Sequence, residues 1–135
     1  MELIKTQMKK LEERQMSNVK NGICHKLITC CFSPKHKGFM YLTDAINILV
    51  KSKQMQSSLQ TQIYPIIAKK YNVSVNSVER NIRSSIDYAW DRYVEKQKIK
   101  PDKANRDNLL VNFYKKPTNR SFIYTYIVNS NYNLF

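Results

Sequence analysis

The stretch NSVERNIRS, residues 76–84, gathers side chains that donate and accept hydrogen bonds in planar, paired geometry. Arg80 and Arg83 each carry a guanidinium fork that donates twice to neighbouring acceptors, as O6 and N7 of guanine present them. Asn76 couples a donor to an acceptor, the pairing an adenine edge requires. Glu79 either accepts from an amino group such as that of cytosine or orients Arg83, and Ser77 and Ser84 add hydroxyls. At about 100° per residue, Val78, Ile82, Ile86 and Ala89 fall on one side of a helix. Ser77, Arg80 and Ser84 fall opposite, flanked by Asn76 and Arg83. One face of this helix is therefore built to be buried, and the other offers arginines and small polar groups to a partner.

The residues ahead of it supply what is needed to hold such a helix in place. QMQSSLQTQIYPIIAKKYN is expected to be helical, with Leu59, Ile63, Ile66 and Ile67 apolar. Pro65 is tolerable there only at a kink or near a helix start. Ala68 is small enough for a close helix crossing, Asn72 takes the left-handed conformation that ends a helix, and Ser74 or Asn76 caps the next one. Val78 plugs the second helix into the core. The pattern is helix-turn-helix, with a turn, YNVSVNS, longer than the tightest versions. Its second helix is expected to lay its first turns in the major groove of duplex DNA. Asn76, Ser77, Glu79, Arg80 and Arg83 are the candidates for base contacts, Arg80 first among them. Lys37, Lys69, Lys70 and Ser84 are the candidates for phosphate contacts, which position without specifying sequence.

Charge points the same way. In 135 residues, 23 Lys and Arg face 10 Asp and Glu, a net charge of +13 and a pI near 9.8. Such a chain attracts polyanions, with nucleic acid the leading partner. A membrane partner is disfavoured, because the basic residues are spread along the chain and no long apolar stretch accompanies them. MELIKTQMKKLEERQ is broken by charges and cannot serve as a secretory leader, so a cytoplasmic chain is expected. Cys24, Cys30 and Cys31 then read as free thiols. Together with His25 and His36 they match no common zinc spacing, so no metal is expected. Two glycines cannot build a phosphate-cradling loop, and no tyrosine stands in an activating constellation. The expectation is a protein that is not an enzyme and needs no cofactor.

The remaining segments read as an all-α fold of about six helices around the helix-turn-helix, with an extra N-terminal helix. Residues 1–20 form an amphipathic extension carrying Leu3, Ile4, Met8, Leu11 and Met16, too short to be stable alone. It either docks on the rest of the chain or pairs with another copy of itself. SNVKNG reads as a break ahead of a domain spanning 21–135. ICHKLITCCF reads as a buried helix ended by Ser33 and Pro34. A further helix begins near Tyr41 or Thr43, with Thr43 as a possible cap and Ala45, Ile46, Ile48, Leu49 and Val50 inward. The long helix is expected to end near Lys96, followed by a polar connector, QKIKPDKAN, and a short helix within RDNLLVNFY. The last helix, capped by Thr118 or Asn119, turns Phe122, Ile123, Tyr126 and Ile127 inward, although SFIYTYIV also suits a strand.

HKGFMYLTDAI, YPIIAKKYNVSVNSVERNIRSSIDYAW and KPTNRSFI together resemble the DNA-binding effector domain of the stage-zero sporulation protein A response regulators of endospore-forming bacteria. The resemblance covers roughly residues 22–128. It implies an all-helical domain in which the helix from Asn76 to Tyr93 enters the major groove. In that family, contacts come from an Arg-Val-Glu-Arg-x-x-Arg run. Here the run reads Ser77, Val78, Glu79, Arg80, Asn81, Ile82, Arg83, which matches at Glu79, Arg80 and Arg83 and departs at Ser77, where the family has an arginine reading guanine. Serine cannot make that bidentate contact, so the family's box resembling TGTCGAA is expected to bind weakly or to be replaced by another site. The resemblance also implies head-to-tail pairing on repeated boxes, hence a homodimer on DNA. It further implies contact with the RNA polymerase sigma subunit through the segment after the long helix, but residues 93–112 diverge and shorten here. A receiver domain is usual in the family, and with only some twenty residues ahead of the match none is expected here. The implied function is a sequence-specific, receiver-less transcriptional regulator. The alternatives are an architectural or accessory DNA binder of a plasmid or phage, and an antagonist that pairs with a full-length regulator; RNA binding is weaker still.

Overall fold

The computed structural model describes residues 2–53, 57–99 and 108–130, apart from the side chains of residues 15 and 16. Every regular element among the described residues is helical. The α-helices are α1 (Glu2–Thr29), α2 (Lys37–Ser52), α3 (Tyr64–Tyr71), α4 (Val75–Ile99) and α5 (Asn119–Asn129). A π-helical turn, Leu59–Ile63, leads into α3, and a single 3-10 turn, Leu109–Asn112, precedes α5.

The break expected at SNVKNG does not form, because α1 runs unbroken through Gly22. One glycine inside a helix costs about 1 kcal/mol, which packing offsets here: Val19, Ile23 and Leu27 recur at helical spacing and join the core. The helix expected over 23–32 is thus the second half of α1. It ends at Thr29, and the turn closes through Cys31 at φ 76°, with the Phe32 N–H donating to the Leu27 carbonyl at 3.1 Å. All three cysteines are free thiols, two of them buried.

Helix α2 begins at Lys37, ahead of the expected start near Tyr41 or Thr43. Thr43 is no cap: it is buried inside the helix and its hydroxyl donates to the Phe39 carbonyl at 2.8 Å. Ala45, Ile46 and Leu49 are fully buried as expected, while Ile48 and Val50 lie at the margin of the core. Pro65 falls in the first turn of α3, directly after the π-helical turn, the position near a helix start at which proline is tolerated. Ile66, by contrast, is half exposed. Helix α4 continues past Lys96 to Ile99. Residues 100–107, most of the expected connector and the start of RDNLLVNFY, lie outside the described residues. Of the short helix expected there, a 3-10 turn forms, capped by the Asn108 side chain on the Leu110 N–H at 2.9 Å. SFIYTYIV is helix, not strand. The Thr118 hydroxyl caps it on the Ser121 N–H at 3.1 Å, and Phe122, Ile123, Tyr126 and Ile127 are all buried.

The core is organised on α2 and α4. Val78, Ile82, Ile86 and Ala89 of α4 are fully buried, as are Leu42, Ala45, Ile46 and Leu49 of α2. At Gly38 the two helices come close enough for α2 to meet the α4 backbone. A Cβ there would sit 1.9 Å from the Asn81 carbonyl oxygen and 2.4 Å from the Ser85 hydroxyl. Only a residue without a side chain permits this spacing, because the obstruction is backbone and cannot rotate away. Nothing lies within 4 Å of a Cβ built at Gly22.

The two glycines therefore make opposite predictions. Gly38→Ala should lose about 3 kcal/mol or more in urea denaturation, an overpacking cost, whereas Gly22→Ala should gain up to about 1 kcal/mol through helix propensity.

Candidate nucleic-acid interface

Helices α3 and α4 form the helix-turn-helix, and local chemistry fixes its turn. Asn72 is left-handed, with φ 55° and ψ 50°, and its N–H donates to the Ala68 and Lys69 carbonyls that end α3. The Val73 N–H also reaches the Ala68 carbonyl, at 3.0 Å. Asparagine tolerates this conformation better than most residues with a side chain. The Ser74 hydroxyl accepts the Ser77 N–H at 3.0 Å, so Ser74, one of the two expected candidates, caps α4. Asn76 is left exposed on the first turn.

The outward face of α4 is close to the expected one. Asn76, Arg80, Arg83 and Ser84 are exposed, while Ser77 and Glu79 are half-buried. Glu79 and Arg83 form an ion pair at 3.1 Å, one turn apart. This pair leaves most of the five guanidinium donors of Arg83 free. Ser77 is engaged along the helix: Asn81 donates to its carbonyl at 2.7 Å and to its hydroxyl at 3.2 Å.

The lysines differ in their surroundings. Lys37, at the start of α2 beside the Gly38 crossing, and Lys69, at the end of α3, are both exposed. Lys70 pairs with Asp44 at 3.1 Å, its ammonium lying 5.1 Å from the centre of the Tyr71 ring. Asp44 is buried on α2 and also takes Lys20 of α1, at 3.1 Å, and the Tyr71 hydroxyl. Burial opposes its ionisation, but the hydrogen bonds from Tyr71, Lys70 and Lys20 outweigh that cost and hold the carboxyl below its usual value. Burial and then the bond to Asp44 push the Tyr71 phenol up to about 12.

Sequence reasoning missed one residue that holds the interface together. Asn119, in the first turn of α5, donates to the Glu79 carbonyl at 3.1 Å and to the Tyr64 hydroxyl at 3.3 Å. It joins α5 to both helices of the motif. Its segment, KPTNRSFI, stands out in the sequence, but only a cap was legible there, because the partners lie 40 and 55 residues away. Beside Arg83 a cleft opens between α4 and the start of α5, rimmed by Lys116 and Arg120. Lys116 pairs across it with Asp87 at 3.1 Å.

A helix with a buried apolar face, a capped and accessible first turn and projecting arginines, on a chain of +13, has the geometry of a major-groove reader. The family model described as "Sporulation initiation factor Spo0A C terminal" matches residues 23–129 of the 135. The chain belongs to that family. Spo0A C-terminal domains are DNA-binding effector domains rather than a family of enzymes. The match takes in both helices of the motif, the Gly38 crossing and Asn119, and starts inside α1. Among the described residues no helix is long and apolar enough to cross a membrane.

Asp44 generates a prediction with a definite sign. Because its folded value is lowered, its contribution is present above the unfolded carboxylate range, about pH 3.9, and fades as pH falls through the lower folded value. Asp44→Asn should cost about 1–3 kcal/mol at pH 7, and the gap to wild type should narrow in denaturation curves as the pH falls below the ordinary carboxylate range and through the lowered folded value. Tyr71 works in the opposite sense. Its bond stabilises the fold until pH rises from 10 toward about 12.

Proposed function

We propose that this protein is a sequence-specific duplex-DNA-binding regulator of the sporulation-regulator effector type, acting in the cytoplasm. Residues 21–135 are the DNA-binding domain and residues 1–20 an appended helical extension. One observation carries the reading: Arg80 projects, exposed, from the outward face of α4, whose opposite face is fully buried. Arg80 reads a base edge, with Asn76 and Arg83 beside it, and Glu79 orients Arg83 through their ion pair. Ser77, half-buried and engaged with Asn81, contributes at most a single hydrogen bond to the groove. Without a guanidinium at Ser77, the preferred site departs from the family's box at the corresponding position.

Phosphate contacts come from Lys37, Lys69 and Ser84. Lys70 joins them from its place beside Asp44, its side chain being half exposed there. These contacts set the salt dependence and leave sequence preference to α4. Two copies bind neighbouring boxes as a homodimer on DNA.

Selection from a random duplex library followed by binding titrations tests the proposal. Arg80→Ala should relax preference at one base pair, at a cost of about 1–3 kcal/mol on the selected site and little on non-specific DNA. Lys69→Ala should weaken all sequences alike and reduce the slope of log K against log salt by about one. An equal loss on every sequence for Arg80→Ala would make it a phosphate contact. The absence of any enriched site would overturn sequence-specific recognition.

A further inference from the structure

The first half of α1 projects from the domain. Every described side chain from Glu2 to Asn18 is exposed, and contact with the core begins at Val19. These residues amount to about 25 Å of helix at 1.5 Å per residue. An isolated helix of this length is marginal in water, yet its solvent-facing surface includes large apolar side chains. Ile4, Met8 and Leu11 are 61%, 57% and 56% exposed. Their spacing of four and then three residues keeps them on a single stripe, the d, a and d positions of a heptad.

The charges around the stripe indicate what covers it. The first twenty residues hold five basic and three acidic side chains, so only +2 of the chain's +13 lies there. Glu2, Glu12 and Glu13 interrupt the basic residues, which disfavours both a phosphate backbone and an anionic lipid surface as the partner. Lys5 and Glu12 occupy the e positions that follow Ile4 and Leu11. When two such helices run antiparallel, e positions face one another across the seam. With Met8 set against Leu11 of the second copy, Lys5 of each helix meets Glu12 of the other, giving two ion pairs by symmetry. A parallel pair places Glu12 against uncharged Gln7 and gives Lys5 no acidic partner.

We propose that residues 2–18 of α1 are a self-association arm that pairs antiparallel with the same segment of a second copy, without DNA. The surface is distinct from the outward face of α4. The seam is short, so the dimer is weak and concentration-dependent, and only an arrangement of sites compatible with its two-fold axis, such as inverted half-sites, strengthens it through effective concentration.

Sedimentation equilibrium of the full chain in the absence of DNA is the test. The expected result is a reversible monomer–dimer equilibrium that Leu11→Glu weakens by about tenfold or more. Fluorescence of the single tryptophan, Trp90, and the thermal melt should report an unchanged core. Lys5→Glu and Glu12→Lys should each weaken the dimer, and the double variant should restore it. Residues 5 and 12 are two turns apart, so no contact within one helix accounts for such a rescue. A monomer at every accessible concentration overturns the proposal, as does a dimer indifferent to Leu11→Glu. Failure of the charge swap to restore pairing excludes the antiparallel arrangement. Weakened binding of Leu11→Glu to a duplex carrying a single box, or binding of the wild-type chain to anionic vesicles with no dimer present, assigns the stripe to a different partner. Because the primary measurement contains no DNA, its failure leaves the reading of α4 untouched.

Discussion

The position of α4 rests on one steric constraint, the approach of α2 to its backbone at Gly38. A helix can present a side chain to a groove only if its opposite face is fixed, and here the fixing contact is between main chains. A Cβ at residue 38 would lie 1.9 Å from the Asn81 carbonyl. Asn81 in turn donates to the carbonyl and hydroxyl of Ser77, one turn closer to the helix start. The crossing therefore bears on the part of α4 where Ser77, Arg80 and Arg83 stand. Lys37 precedes Gly38 in sequence, so the same contact sets where that ammonium projects relative to α4. Main-chain contact is less compressible than an interface of flexible side chains, and it suits a surface whose donors must meet acceptors at fixed positions.

A second constraint is electrostatic. Asp44 is buried on α2, yet it holds Lys20 from α1 and both Lys70 and Tyr71 from α3. A buried carboxylate is tolerated only when its oxygens are occupied, and here the occupants come from two other helices. The root of α1, the scaffold helix and the first helix of the motif thus share one charged junction. Lys70 is held by an acid within the protein, and the proposed contact to a phosphate would make a second demand on it. Because its side chain remains half exposed, the two are compatible.

What was legible in the sequence was whatever local chemistry decides. Asn72 at a helix end, Ser74 at a helix start, Thr118 before α5 and the four-residue recurrence of Val78, Ile82 and Ile86 each carry their instructions within one or two turns. Composition and spacing likewise indicated an all-helical fold and an outward face of polar and basic residues on α4. What failed depended on distant partners. Gly22 reads as a break until Val19, Ile23 and Leu27 are seen to pack, at which point tertiary burial overrides propensity. Thr43 reads as a cap until the Gly38 crossing draws the start of α2 back to Lys37. Ile66 reads as core because it is apolar, but the short α3 points it toward the cleft it shares with Ile48 and Lys70. Asn119 was seen only as a possible cap, since its two acceptors are brought to it by folding alone.

The continuity of α1 has consequences for how two copies joined by the proposed arms would be oriented. Since the helix runs unbroken from its exposed half into the core, and Lys20 ties it to Asp44, the direction of the projecting half is fixed relative to α4. An antiparallel pair of such helices has two-fold symmetry, so it relates the two outward faces of α4 by a two-fold axis. Head-to-tail stacking on repeated boxes is a translation along the duplex and has no such axis. The proposed arm pairing and the head-to-tail stacking that the resemblance implies are therefore separate proposals, which call for different surfaces and different arrangements of sites. Direct repeats favour stacking through the domains, whereas inverted half-sites, or two separate duplexes, favour the arms. If both proposals hold, stacked copies on one segment would be joined to copies on another, which a single mode of association does not allow.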